Sequence, residues 1–439
     1  MGVHAFAALA LLLAGHQQAP ALHASTPCLD APAFTCSILD VPLDRTGGRP
    51  GTLHLRVAAA DNVQAPRGVL LVIAGGPGQP ATPLVARFAA RALAAERKAY
   101  RIVAYDQRGT GAGALSCAAL QGAMGSSDLA PPPAAAVRAC ARKLGARRQF
   151  FGTDDVVADM EALRRALGVD RWTLDGISYG TFVGERYALA HPQRVQRLVL
   201  DSVVPHVGET DLGIDELRAA RRVLRMVCGD ACVRDLAATV RRYRNGPRLL
   251  DALTVLSIAD PTYRTLIDVP EALHAAARGD RLSLDLWLRA ARTWQTAQPK
   301  DLDQGLHAST LCADWRYPWG SSAAPLAGRQ AKLQRAVARL PVTQLYPFDR
   351  ATASGNGFVR QCLPWPPSPP TRLATGKIRV PALLVNGDHD LSTPLEWARE
   401  ELHLTTNAKL VIVRGAGHST QSRASTGAAR RAVAAFLLG

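Results

Sequence analysis

The pentapeptide Gly176-Ile177-Ser178-Tyr179-Gly180 restricts this chain more than any other segment. It follows directly on Trp172 to Asp175, which reads as a buried strand, and precedes a run with helical character. A strand that passes into a helix through a single serine must turn sharply, and a side chain on either flank would clash, so glycine stands on both sides. Such a turn leaves Ser178 Oγ exposed above a sheet at a helix N-terminus. The G-x-S-x-G string is weak by itself; the strand–turn–helix setting gives it weight. The competing reading of Ser178 is a helix N-cap serine.

The same alternation recurs along the chain. Residues 68–74 (GVLLVIA), 101–106 (RIVAYD), 196–201 (QRLVLD), 380–386 (VPALLVN) and 409–414 (KLVIVR) are short and apolar, the pattern of strands buried on both faces. Thr153-Asp154-Asp155 offers an N-cap with acids in the first turn, and Val156, Val157, Met160, Leu163 and Leu167 follow at helical spacing. A closing helix is predicted over 426–438. Strands alternating with helices imply a mostly parallel sheet with helices on both faces. From 207 to 375 the strand signal vanishes. That stretch is Arg- and Leu-rich with helical periodicity, then Pro- and Trp-rich around Cys362-Leu363-Pro364-Trp365-Pro366. It is predicted to be a mainly helical cap inserted in one surface connection, where an insertion costs little. The core then comprises 28–206 and 376–439. Residues 130–136 (APPPAAA) are expected to form a loop.

Residues 5–14 form an apolar run, too short for a membrane span of ~18 residues but suited to the core of a signal peptide. Ala19-Pro20-Ala21 supplies the small residues of a cleavage site, so 1–21 is expected to be a signal peptide and the protein to be secreted or periplasmic, with no membrane anchor. In an exported chain the eight cysteines read as disulfides. Roughly 105 connectivities are open to eight cysteines. The simplest is neighbour pairing: Cys28 with Cys36, Cys117 with Cys140, Cys228 with Cys232, and Cys312 with Cys362. No pair has zinc-knuckle spacing, so neither a metal nor a cofactor is expected. The content of 48% apolar and 20% charged residues excludes a disordered chain. Lys and Arg number 52 against 36 acids, a formal charge of +16, but the arginines are scattered and not gathered in one stripe. They read as solvated surface, with no nucleic-acid partner. The oligomeric state is not legible.

A serine nucleophile needs a base, and the base an orienting acid. In the α/β-hydrolase fold these follow in the order Ser, Asp or Glu, His. The strand at 380–386 leads into Gly387-Asp388-His389-Asp390-Leu391-Ser392-Thr393-Pro394, and the strand at 409–414 into Gly415-Ala416-Gly417-His418-Ser419. His418 is the expected base, its small neighbours leaving the ring room. Asp390 is the preferred acid because it lies farther past its strand than Asp388. His389 shares a loop with both acids and is expected to be a bystander. The loop Gly75-Gly76-Pro77-Gly78 offers bare backbone N–H groups for a developing oxyanion, with Gly76 the favoured donor and Tyr179 N–H the second. Gly109-Thr110-Gly111-Ala112-Gly113-Ala114 matches a relaxed dinucleotide fingerprint, but it lacks a clean helix start, so no dinucleotide is expected there.

Taken together, GGPG at 75–78, DQRGTG at 106–111, GISYGT at 176–181, GDHDLSTP at 387–394 and GAGH at 415–418 resemble the tripeptidyl aminopeptidase and proline iminopeptidase group of α/β-hydrolase serine peptidases. The resemblance runs from about Leu39 to the C-terminus and is weakest in the cap. It implies Ser178, Asp390 and His418 as catalytic residues and Gly76 with Tyr179 as the oxyanion hole. It also implies that Asp106 and Arg108 brace the architecture. Ala74 stands where many members carry His, and Asp201-Ser202-Val203-Val204-Pro205 lacks the second acid common after this strand.

The expected reaction is release of short peptides or residues from free N-termini. The substrate is a peptide or small acyl compound. An exopeptidase needs an acid to hold the α-ammonium, and Glu209, Asp211, Asp215 and Glu216 at the cap entrance are candidates. Two alternatives stand beside it: a carboxylesterase with the same triad, and a catalytically silent surface or polyanion-binding protein on the same fold.

Overall fold

Successive residues of the strand Val69–Ile73 go to opposite sides of one sheet. Val69, Leu71 and Ile73 enter the larger apolar core, and Leu70 and Val72 enter a second core on the other face. Burial on both faces is why these segments read as continuous apolar runs. The computed structural model describes residues 19–208, 212–372 and 375–439. The expected signal peptide falls almost entirely outside them, as do Glu209 and Asp211.

Nine strands form one sheet among the described residues. They are β1 (Leu22–Pro27), β2 (Phe34–Pro42), β3 (Thr52–Ala60), β4 (Val69–Ile73), β5 (Arg101–Tyr105), β6 (Trp172–Ile177), β7 (Val195–Asp201), β8 (Ala382–Gly387) and β9 (Ala408–Val413). Their spatial order is β1-β2-β3-β5-β4-β6-β7-β8-β9. From β5 to β9 every neighbour is parallel, whereas β1, β2 and β3 add antiparallel strands at one edge. The six strands expected from the sequence are present within a few residues of their expected bounds. The three antiparallel strands were not anticipated. Helices Thr153–Ala166 and Ala428–Leu438 form where expected, but Gly152 is the N-cap of the first, because the Thr153 hydroxyl turns to Tyr179 and Asp314 and caps no N–H of its own helix. The 130–136 loop is shorter than expected, because a helix opens at Ala134, directly after Pro133 in its extended N-cap conformation.

Between β7 and β8 every regular element among the described residues is a helix, and the extended pairing there is limited to two isolated bridges, Tyr317–Gly320 and Ile378–Thr405. This insertion is joined closely to the core. Gln304 N–H donates to Gln121 Oε1 at 3.0 Å, and Asp303 N–H donates to Gly78 O at 3.1 Å. All four disulfides pair neighbours: Cys28–Cys36, Cys117–Cys140, Cys228–Cys232 and Cys312–Cys362. The long helix Ile214–Tyr243 bends at Gly229 (φ 78°), and Cys228–Cys232 spans the bend. No helix among the described residues is long and apolar enough to cross a membrane.

Candidate active site

β6 ends at Ile177, and Ser178 follows with φ 58° and ψ −128° before the helix Tyr179–Ala190 begins. Holding a side-chain-bearing residue there costs about 1–3 kcal/mol, so its surroundings must enforce it. They do so through close backbone approach. A Cβ on Gly176 would lie 2.4 Å from Gly180 O, and one on Gly180 would lie 2.2 Å from Ile73 O of β4. The Ser178 N–H donates to Asp201 O at 2.9 Å, tying the turn to the end of β7.

Past β8 and β9 the structure joins Asp390 to His418: Asp390 Oδ2 is 2.9 Å from His418 Nδ1. The fully buried Asp390 also accepts from Ser392 N–H at 2.9 Å, Thr393 N–H at 3.0 Å and Thr393 Oγ1 at 2.7 Å. Thr393 Oγ1 lies 3.2 Å from His418 Nδ1 as well. Burial opposes charge on His418, but the field and hydrogen bond of Asp390 outweigh it and hold the imidazole above its ordinary value. Asp388 is turned elsewhere, accepting from Gly415 N–H at 2.7 Å. His389 packs under the insertion, its Nδ1 2.6 Å from Pro261 O.

The small residues before His418 have a reason the sequence did not disclose. A Cβ on Gly417 would fall 1.7 Å from Ser257 O, and His418 N–H donates to that same carbonyl at 3.1 Å. Glycine there admits a helix of the insertion, Gly246–Ala259, against the histidine loop. The Gly75–Gly78 loop is gripped in the same way. A Cβ on Gly78 would lie 2.7 Å from Asp303 O, and one on Gly75 would lie 2.8 Å from Ser178 Cβ.

Gly76, Pro77, Ser178 and Tyr179 line one pocket with Ser392, Thr393, Val204, Leu311, Asp128 and three aromatic residues, Trp315, Phe358 and Trp397. Trp315 packs on Phe358 with ring centroids 4.9 Å apart and meets Trp397 edge-on at 6.4 Å. Asp128 is the acid on this wall. One of its oxygens lies 2.9 Å from His307 Nε2, and the other carries no hydrogen bond among the described residues. Asp215 is ion-paired with Arg218 at 3.2 Å and Glu216 is buried, and neither lines the pocket. Asp128 and the three aromatics were missed by sequence reasoning. They come from distant segments and carry no local motif.

Behind the pocket, Tyr179 Oη lies 2.6 Å from Thr153 Oγ1, and Thr153 in turn bonds to the buried carboxylate of Asp314. Burial pushes Asp314 up to about 6, against the pull of Thr153 and Arg186. Asp106 accepts from Thr82 N–H at 2.9 Å and Thr82 Oγ1 at 3.0 Å, and burial raises its carboxyl. Arg108, fully buried, donates to both oxygens of Asp159 at 2.6 Å and to the carbonyls of Leu43 and Phe150. Both residues bind protein groups and do not line the pocket. The Gly109–Ala114 segment forms a short 3₁₀ turn, not the opening of a long helix.

The parallel sheet, the strained serine after β6 and the Asp390–His418 pair beyond β8 and β9 define an α/β-hydrolase. Residues 68–224 match the alpha/beta hydrolase fold family, and residues 346–439 match the family of TAP-like proteins. The chain is similar to the tripeptidyl aminopeptidase of Streptomyces coelicolor, 28% identical over 188 residues, covering 38% of this chain and 35% of that protein. It is also similar to a probable proline iminopeptidase of Streptomyces coelicolor, 35% identical over 133 residues, covering 30% of this chain and 32% of that protein. Serine protease Hip1 of Mycobacterium tuberculosis is 44% identical over 68 residues, covering 15% of this chain and 13% of that protein. The matches to the first two relatives thus span about a third of their length.

Proposed function

We propose that this protein is an exported serine hydrolase acting as an aminopeptidase, which releases short peptides or residues from free N-termini through an acyl-enzyme on Ser178. The observation that carries the reading is Asp128, an acid with one unbonded oxygen on the wall of the aromatic pocket that holds Ser178. A carboxylate beside aromatic faces suits an α-ammonium, which both the charge and the ring quadrupoles attract. Four disulfides support the exported part of the reading.

In this mechanism Ser178 Oγ attacks the acyl carbon while its proton passes to His418 Nε2, and Asp390 holds the ring with Nδ1–H toward itself. The N–H groups of Gly76 and Tyr179 receive the oxyanion. The C–N bond breaks as the imidazolium gives its proton to the leaving amine. Water, deprotonated by His418, then attacks the ester, and the proton returns to Ser178 Oγ.

The test compares tripeptide anilides with free and acetylated N-termini, with Ser178→Ala protein as blank. Cleavage of the free form alone is expected. Asp128→Asn should raise KM for that substrate by about 10- to 100-fold, the loss of one charged contact, and leave simple esters unaffected. Ester turnover with neither anilide cleaved would make the protein a carboxylesterase. Failure of Ser178 to react with a serine-directed phosphonate would make it a silent member of the fold.

A further inference from the structure

Behind the nucleophile helix lies a second group of chemistry-bearing side chains that takes no part in the proposed reaction. Glu185 is on the helix Tyr179–Ala190, His206 lies where the chain leaves β7 for the insertion, and Glu401 is on the helix Leu395–Leu404. All three are 0–1% exposed. One donor atom from each lies within 4.8 Å of the other two.

Their hydrogen bonds are unequal. Glu401 is well served: His206 Nδ1 lies 2.9 and 3.0 Å from its two oxygens, His206 N–H donates at 3.1 Å, and Thr405 Oγ1 donates at 3.0 Å. His206 Nε2 lies 3.2 Å from Gly376 O. Glu185 has neither oxygen bonded to anything in the protein, although both are buried. A buried carboxylate without a partner costs several kcal/mol as an anion, so something must neutralise it or take its lone pairs.

We infer that Glu185, His206 and Glu401 bind one divalent transition-metal ion of the zinc type. Two carboxylates and a neutral imidazole balance a 2+ charge, and imidazole with carboxylate oxygen is an established donor set for zinc. With Nε2–H donated to the Gly376 carbonyl, the ring presents the Nδ1 lone pair to the cation, the outer-sphere arrangement that metal-bound histidines usually show. His206 Nδ1 and Glu401 are already 2.9 Å apart, so reaching metal–ligand distances of about 2.0–2.2 Å is chiefly a matter of Glu185 closing in on them. The site ties together the nucleophile helix, the start of the insertion at His206 and the helix Leu395–Leu404, while Gly376 marks the return of the chain to the core. Its role is therefore structural: the ion would clamp the entry and exit of the insertion and thereby fix the pocket wall that the insertion supplies.

The experiment uses the full chain without an affinity tag, dialysed against a chelator and then titrated with zinc chloride. Metal content and melting temperature are the readouts, so the result does not depend on any substrate assignment. One zinc per chain is expected to bind and to raise the melting temperature by several degrees, and Glu185→Gln should abolish both effects. Glu185→Leu serves as a second variant, expected to fold with a melting temperature at least that of the chelated wild type and to ignore zinc. Wild-type protein that takes up no zinc would overturn the inference. So would zinc binding that survives in Glu185→Gln and is lost in His54→Ala, which would place the ion on the exposed His23–Asp40–His54 cluster.

Discussion

Asp201 holds Thr420 twice, accepting from its backbone N–H at 2.9 Å and from its hydroxyl at 2.8 Å. Its other oxygen takes Gln421 N–H at 2.8 Å, and its own carbonyl takes the N–H of Ser178 at 2.9 Å. One residue at the end of β7 thus fixes the serine turn and the segment just after His418. Removing the carboxylate would leave two buried N–H groups unbonded, at about 1–3 kcal/mol each. Asp201→Ala should therefore lower both the melting temperature and kcat, and Asp201→Asn should lower them less. Wild-type kcat in Asp201→Ala would show that the segment after His418 keeps its place without this carboxylate; the carbonyl that holds Ser178 N–H is unchanged in the variant.

The two acids of the β8 loop should separate cleanly. Asp390→Asn should cost roughly 10³–10⁴-fold in kcat, since the ring loses the partner that sets its tautomer. Asp388→Asn should change turnover by less than about tenfold, because that carboxylate meets only backbone and loop groups. Steady-state kinetics on either substrate class decides it.

His418 must be neutral to act as base, and its pKa in the folded protein is raised above 6.5. The acidic limb of kcat/KM is therefore expected above pH 6.5. Protonated His418 paired with Asp390 stabilises the fold at pH values below its unfolded pKa. That contribution is lost as pH rises through the folded value, so activity should rise as this share of stability falls. A limb below pH 6 would contradict the pairing.

Asp314 titrates the other way from a salt-bridged acid. Burial raises it from 3.8 to about 6, so the fold prefers its neutral form, and stability falls as pH rises from about 4 to about 6. A shift of that size corresponds to about 3 kcal/mol. In Asp314→Asn this slope should flatten, and urea midpoints at pH 4 and pH 7 should differ less than in the wild type. An unchanged pH profile would show that Asp314 is not the group responsible.

The Cys312–Cys362 bridge closes a loop across the insertion, with a separation of 50 residues. Loop-closure entropy for that length gives about 4 kcal/mol. Replacing both cysteines by alanine should lower the unfolding free energy by that order. Because Trp315 and Phe358 stand near its two ends, KM should rise more than kcat falls.

Much of the candidate site was legible in the sequence. The serine turn, the acid and histidine loops and the core strands are all written in short segments, because glycine spacing or a β-branched run acts over a few residues. The strands β1 to β3 were not: β1 is exposed along almost its whole length, and Asp40, His54 and Arg56 interrupt the apolar residues of β2 and β3, which dilutes the signal. The pocket around Ser178 was not legible either. Asp128, Trp315, Phe358 and Trp397 lie on separate segments, and nothing within any one of them marks it for a common wall. Glu185, His206 and Glu401 are likewise scattered along the chain. Backbone conformation at a turn depends on the residues in it, whereas a cavity wall or a ligand cluster depends on which distant surfaces pack together. Only the folded chain settles that.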